Sequence, residues 1–151
     1  MAEQIFPDLT IPDDLTTDEA GSDAVTDYGK ELAFDFTRGE LIIENGRPKL
    51  VEGIDAVKIW IEKTLRTARY RYPIYSFEYG CELEDLIGIE IPSDVLESEI
   101  KRVIAEAIIY DDRIESVGDF KISRSSDCLH LTFRVVTLFG DSFTQEVNYH
   151  V

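Results

Sequence analysis

The sequence has few cysteines and few basic residues, and it lacks a long apolar run. Its 151 residues include two cysteines, which are too few for the disulfide framework of a small secreted domain. No apolar run reaches the roughly 18 residues of a membrane-spanning helix. The acidic N-terminus also differs from the basic start of a secretory signal. These absences predict synthesis in a reducing cytoplasm and no membrane partner.

Positive charge is scarce. Fifteen Lys and Arg residues stand against 31 Asp and Glu residues, which gives a formal net charge of −16. Proteins that bind nucleic acid need a basic patch to neutralise phosphates, and anionic membrane surfaces attract basic segments as well. The charge therefore argues against nucleic acid and against lipid surfaces as partners.

Motifs for catalysis and metal binding are also missing. The chain contains neither a G-x-S-x-G nucleophile motif nor a glycine-rich phosphate loop. Structural zinc sites usually show closely spaced ligand pairs such as C-x₂-C, and the potential ligands here are spread over the chain. They are Cys81, Cys128, His130 and His150. We predict no metal, no cofactor and no catalytic residue.

A short acidic cluster is the one feature that resembles a hydrolase site. Paired carboxylates cleave glycosides when one of them lies in an apolar pocket. In a chain with 31 acidic residues, such clusters arise by chance, and a solvated face is the favoured interpretation. The cluster comprises Glu78, Glu82, Glu84 and Asp85.

The first 30 residues differ in composition from the rest of the chain. Their charged residues are acidic apart from Lys30, and Pro, Asp, Thr and Gly interrupt each short apolar group. This composition predicts an extended, mostly irregular arm over residues 1–30. Its apolar residues are available to dock on a partner or on the domain itself: Ile5, Phe6, Leu9 and Ile11. Residues 31–151 are predicted to form one domain.

Turn and periodicity signals divide this domain into strands and helices. Gly39 marks the turn of a hairpin, and Asn45-Gly46 marks a second turn before a short strand. Apolar residues at helical spacing predict two helices. The second is expected to start at residues 92–94, with Asp94 and Glu97 forming a capping box. The apolar faces comprise Val57, Trp60, Ile61, Thr64 and Leu65, and then Leu96, Ile100, Val103, Ile104, Ala107 and Ile108.

The C-terminal third is predicted to be a three-stranded antiparallel meander. Its strands begin near residue 114 and at Cys128, and Gly140-Asp141 turns into the last strand. The predicted fold is therefore α+β, with an antiparallel sheet packed against two main helices. The N-terminal hairpin and the meander are expected to supply the strands of that sheet.

The segment "ARYRYPIYSFEYGC", residues 68–81, contains five aromatic residues between positions 70 and 79. Pro73 prevents the first helix from continuing through it. Arginines between aromatic rings can also hold nucleic acid, but the net charge argues against that interpretation. The favoured interpretations are a loop packed on the core and a contact with a protein partner, and the two roles can coexist. We expect a rigid elbow whose rings pack inward, with Arg69 or Arg71 reaching an acidic neighbour or partner.

This segment carries a resemblance to a known family. A helix that ends in Thr, an Arg/Pro-rich turn and an aromatic–Gly element together resemble the baseplate wedge and sheath-initiator proteins of contractile phage tails. The similarity is greatest to the subgroup from Gram-positive myophages and phage tail-like particles, and it extends over roughly residues 28–151. The matching residues are Thr67, Arg69, Arg71, Pro73, Tyr79 and Gly80.

A second family motif is a Glu-Pro-Arg tripeptide between the second helix and a strand. The matching positions here are Asp111, Asp112 and Arg113. The arginine is retained and Asp111 keeps the negative charge, but the proline is absent. In the family, the arginine motif contacts the wedge, which Arg113 would do through charge-assisted hydrogen bonds.

The resemblance implies a mechanical function without catalysis. Such proteins lie around the tail tube in the baseplate of a virion or tail-like particle, as a ring of about six copies. The implied partners are wedge proteins, the sheath protein and neighbours in the tube or hub, all made in the bacterial cytoplasm. The protein would link the wedge to the sheath and initiate sheath assembly by strand exchange, a form of β-augmentation.

The last strand is the candidate for this pairing. It alternates strictly up to the C-terminus, and it contains neither a proline nor a basic residue that would block an edge. One face comprises Phe143, Gln145, Val147 and Tyr149, followed by Val151. Two alternative functions remain open: a lysozyme-like enzyme that cuts cell walls, and a generic acidic adaptor for protein binding.

Overall fold

The computed structural model describes residues 27–87, 89–125 and 128–150. Residues 1–26 of the predicted arm, which spans residues 1–30, lie outside the described residues, as does Val151. The elements in chain order are β1 (Lys30–Leu32), β2 (Phe34–Asp35), β3 (Glu40–Leu41), β4 (Ile43–Glu44), β5 (Arg47–Pro48), β6 (Leu50–Glu52), α1 (Ile54–Arg66), α2 (Leu83–Leu86), α3 (Ser93–Ile108), β7 (Ile114–Ser125), β8 (Cys128–Thr137) and β9 (Ser142–His150).

The six short strands form three antiparallel pairs, β1–β6, β2–β3 and β4–β5. The pairs meet at a junction where the backbones of Ala33, Ile42 and Lys49 bond to one another at 2.8, 2.9 and 2.9 Å. Asn45 and Gly46 have φ values of 53° and 76°, as a type I′ hairpin turn requires. The predicted turns at Gly39 and at Asn45-Gly46 are therefore confirmed.

The two main helices follow the predicted apolar periodicity. In α1, the inward face includes Val57, Ile61 and Leu65, all fully or almost fully buried. In α3, the predicted face is buried from Ile100 to Ile108, and Leu96 is partly buried. The segment between these helices contains the single turn α2.

The predicted capping box at the start of α3 is wrong. Pro92 is the N-cap residue, and the structure has no side-chain hydrogen bond at this cap. Asp94 lies inside the first turn, whereas a capping side chain must belong to the residue that precedes the helix. Asp94 instead contributes negative charge near the positive end of the helix dipole.

The C-terminal strands form the predicted antiparallel meander, in the order β7–β8–β9. The central strand β8 alternates cleanly, with Leu129, Leu131, Phe133 and Val135 buried. The meander and the N-terminal pairs lie in separate sheets, so the single sheet that we expected is divided. The α+β class itself is confirmed.

One core joins α1, α3 and one face of the meander. Its largest fully buried side chains include Phe133, Ile61 and Ile104, one from each of these elements. Tyr28 also belongs to this core, and β1 begins at Lys30. Tyr28 and Lys30, which the predicted boundary assigned to the arm, therefore belong to the folded domain. Among the helices that the structure describes, none is long and apolar enough to cross a bilayer.

Candidate assembly surface

Residues 68–81, called here the aromatic loop, leave the domain at the end of α1 and return next to it. The Cys81 amide donates to the Thr67 carbonyl at 2.8 Å, and the Arg69 amide donates to the Cys81 carbonyl at 3.1 Å. Gly80 has a φ of +102°, and a Cβ there would lie 2.8 Å from the Thr67 carbonyl oxygen. The two ends of the loop are thus held together, as in a compact Ω-loop.

Four of the five rings of the aromatic loop face solvent and only Tyr79 is half-buried, so the prediction that the rings pack inward is wrong for all but Tyr79. Ile74 and Phe77 are 86% and 83% exposed, and Tyr70 is 65% exposed. The core behind the loop is already occupied by Cys81 and by Leu83, which is fully buried. The rings therefore pack mainly on one another, with the centroids of Tyr75 and Tyr79 4.6 Å apart. Tyr79 also contacts Trp60 on α1 at 6.4 Å between centroids.

The two arginines of the loop stabilise its shape. Arg69 donates to the carbonyls of Gly80 at 3.2 Å and Glu78 at 3.3 Å. Arg71 pairs with Glu84 at 2.8 Å, which confirms that one of the two arginines reaches an acidic neighbour. Between the rings lies a cleft of about 290 Å³. It is lined by Ala68, Tyr70, Tyr72, Pro73, Tyr75, Ser76, Phe77 and Tyr79.

The motif at residues 111–113 bonds within the domain. Arg113 pairs with both carboxylate oxygens of Asp111, at 2.8 and 2.9 Å, and donates to the Tyr28 carbonyl at 2.7 Å. Its guanidinium lies 5.3 Å from the centre of the Trp60 ring, and its side chain is only 19% exposed. The hydrogen bonds to Asp111 raise the pKa of Arg113. Asp112, by contrast, is exposed.

The last strand is an edge strand of the meander. β9 pairs with β8 in an unbroken register from Ser142 to His150. Val147 and Gln145 are almost fully buried, Tyr149 is 9% exposed and Phe143 is partly buried. The predicted pairing face is therefore the face that anchors the strand to the core.

Comparison with known proteins identifies the family. A family model described as "Contractile injection system sheath initiator" matches residues 30–140. The chain belongs to this family. It is also 40% identical over 107 residues to the phage-like element PBSX protein XkdS of Bacillus subtilis (strain 168). The aligned region covers 69% of this chain and 76% of that protein. The resemblance seen in the sequence motifs is confirmed.

Membership of the sheath-initiator family gives the chain a baseplate-associated structural role in a contractile injection system. The acidic cluster has structural contacts that fit this role. Glu84 pairs with Arg71 and accepts a bond from the Tyr149 hydroxyl at 3.2 Å. Burial, together with Glu84, raises the pKa of Tyr149 to about 12. Glu84 thus ties the aromatic loop to the end of β9.

The cysteines and histidines do not all lie close together, as the ligands of one metal ion would. Cys128 pairs with His150 across the strands, and His130 contacts Asn148 at 2.6 Å. Cys81 is buried apart from them and faces the Val103 carbonyl, and burial raises the pKa of its thiol to about 11. In the described part of the chain, no group of three His, Cys, Asp or Glu residues is arranged to hold a metal ion.

Two contacts of this sheath initiator were not anticipated from the sequence. The Tyr28 hydroxyl bonds to Thr137 and Asp141, which fixes the chain at the point where the N-terminal segment joins the domain. Arg66 on α1 donates to the Asn148 carbonyl of β9 at 3.1 Å and lies 5.2 Å from the Phe36 ring. The bonds from Tyr28 and the bond from Arg66 to Asn148 join residues more than 80 positions apart, so no local pattern signals them.

Proposed function

We propose that this protein links the baseplate wedge to the sheath, and that the edge of β9 pairs with a strand of a sheath subunit. Family membership supports the general role. The observation that carries the finer proposal is a difference between the two edges of the meander. The ring of about six copies implied by the family resemblance would then present the same strand edge around the tail tube.

The edge of β7 is irregular. Its register with β8 shifts between Ile114 and Ser116 and again between Gly118 and Lys121. Asp119, within the second irregularity, has a φ of +52°. Bulges of this kind twist an edge and hinder pairing with another strand. β9 has no such interruption over nine register pairs, and it is therefore the edge suited to an incoming strand.

Because the residues of β9 alternate between buried and exposed positions, we expect its inward and outward side chains to have different roles. The inward residues Phe143, Gln145, Val147 and Tyr149 hold the strand on the core, while its backbone edge is left to pair with the sheath. The outward side chains would then contact the partner and contribute specificity. They are Thr144, Glu146, Asn148 and His150. Arg66 already donates to the Asn148 carbonyl, so we expect the incoming strand to pair along the part of the edge that precedes this residue.

The wedge contact is proposed at residues 111–113. Arg113 and Asp111 form a rigid, partly buried pair, and the exposed Asp112 projects beside them. A basic group on the wedge would meet Asp112, while the exposed side of Arg113 accommodates an acidic group. The motif would thus bind through a preformed surface, which lowers the entropic cost of association.

A lysine on the outward face of β9 tests the proposal. Thr144→Lys should give particles that contain the protein but lack a sheath, because lysine at an edge hinders strand pairing. The matched control is Ser123→Lys on β7, the other edge, where sheath assembly should continue. Electron microscopy of purified particles, with mass spectrometry for incorporation, gives the readout. Normal sheaths on Thr144→Lys particles would show that β9 is not the pairing edge.

A further inference from the structure

The cleft of the aromatic loop is an apolar surface without a described occupant. Ile74 and Phe77 are the most exposed large apolar residues of the described chain. Exposed apolar surface of this kind usually marks an interaction site. We propose that residues 5–12 of the same chain, "IFPDLTIP", occupy this cleft in the protein before assembly. The proposal is independent of the sheath-pairing role of β9.

Chemical complementarity favours this occupant. Six of the eight residues are apolar or proline: Ile5, Phe6, Pro7, Leu9, Ile11 and Pro12. Clefts lined by aromatic rings suit proline-containing segments, whose restricted backbone loses little entropy on binding. The lining of the cleft consists mainly of such rings, together with Pro73.

Charge also favours the segment. Residues 68–81 contain Arg69 and Arg71 against one acid, Glu78, whereas the whole chain carries a net charge of −16. The side chain of Arg71 is 56% exposed even though it pairs with Glu84. Residues 5–14 contain Asp8, Asp13 and Asp14 and no basic residue. Within the loop itself, an acidic segment would thus meet less repulsion than the net charge of the whole chain implies, although Glu84 already pairs with Arg71.

The point of attachment brings the segment close to the cleft. The N-terminal 26 residues join the described chain next to Tyr28, whose carbonyl is bonded to Arg113. Arg113 lies over Trp60, and Trp60 contacts Tyr79 in the lining of the cleft. The attachment point and the cleft are therefore linked by a short series of side-chain contacts.

The length of the connection is sufficient. Residues 13–27 span at most about 50 Å when fully extended, which exceeds the distance covered by a few side-chain contacts. A tether of this length gives an effective concentration of about 1 mM. Residues 5–12 would then occupy the cleft of their own chain even if their affinity for it is weak. They would cover apolar surface that otherwise favours aggregation.

Photocrosslinking of the full chain tests the proposal. With p-benzoylphenylalanine in place of Phe6, irradiation at low micromolar concentration should give cross-links to residues 68–81 within a single chain, mapped by peptide mass spectrometry. The same probe at Thr17, in the connecting segment, is the matched control and should give few loop cross-links.

A second set of variants identifies the cleft as the binding site. Phe77→Asp and Ile74→Asp alter residues that are 83% and 86% exposed, so folding should be unchanged by circular dichroism. Each should reduce loop cross-links roughly tenfold, because the buried apolar contact is lost. Ile43→Asp, at a residue that is 57% exposed in β4, should leave them unchanged.

Three results would overturn the proposal. Cross-links that map outside residues 68–81 would place the segment elsewhere. Cross-links found only between two chains would show that the cleft receives the arm of a second copy. A yield unaffected by Phe77→Asp and Ile74→Asp would show that the rings do not bind the segment, and that the cleft is left for a partner in the particle.

Discussion

Replacing Arg113 by Ala would measure how much the contacts of this residue within the domain contribute to stability. The substitution removes the paired bonds to Asp111, the bond to the Tyr28 carbonyl and the contact with the Trp60 ring. Hydrogen bonds to charged groups contribute about 1.5–3 kcal/mol each, and a cation–π contact contributes about 0.5–1 kcal/mol. These terms are not additive, and Arg113 keeps some contact with solvent. We expect a loss of about 3 kcal/mol in the free energy of unfolding.

Urea denaturation of the purified protein measures this loss. A loss of this size should lower the urea midpoint by about 1–2 M. Arg102→Ala is the matched control, because Arg102 also pairs with two acids, Glu99 and Glu106, but on the exposed face of α3. It should leave the midpoint almost unchanged, since exposed ion pairs contribute little. Equal effects of the two substitutions would refute the assignment of Arg113 as an internal support.

Two further predictions concern the aromatic loop and the end of β9. Gly80→Ala should destabilise the protein by about 1–3 kcal/mol, because alanine would be strained at this positive φ and its Cβ would meet the Thr67 carbonyl. An unchanged urea midpoint would contradict this. Burial raises the pKa of Tyr149 to about 12, above its ordinary value of 10.0. The folded state thus retains this proton longer than the unfolded state. The protonated Tyr149 therefore contributes its full share to the free energy of unfolding below pH 10, and this contribution is lost as the pH rises toward 12. Tyr149→Phe should reduce this loss between pH 10 and 12, and identical pH profiles would contradict the assignment.

Regular elements could be predicted from the sequence because their patterns are local. The spacing of Val57, Ile61 and Leu65 corresponds to one face of a helix, and that face is buried in α1. Asn45-Gly46 adopts the positive φ values that its turn requires. The strict alternation in β9 correctly identified which residues share a buried face.

Features that depend on tertiary packing were not predictable in this way. The aromatic loop has no periodicity, so nothing in its sequence indicated that Phe77 would face solvent while Cys81 fills the core. Ala33 is buried although the neighbouring Leu32 is larger and more apolar, because the strand junction brings Ala33 inward. Arg113 donates to the carbonyl of Tyr28, which lies 85 positions away in the chain, and only the folded structure reveals this contact.

The most direct test of the central claim is a cryo-EM map of the assembled baseplate with its sheath. We predict backbone density from a sheath subunit beside β9, with ladder hydrogen bonds along residues 142–147, because Arg66 already bonds to the Asn148 carbonyl. The same map should show residues 111–113 facing a wedge protein. A sheath strand paired along β7, or a β9 edge that faces solvent in the assembled particle, would contradict the account.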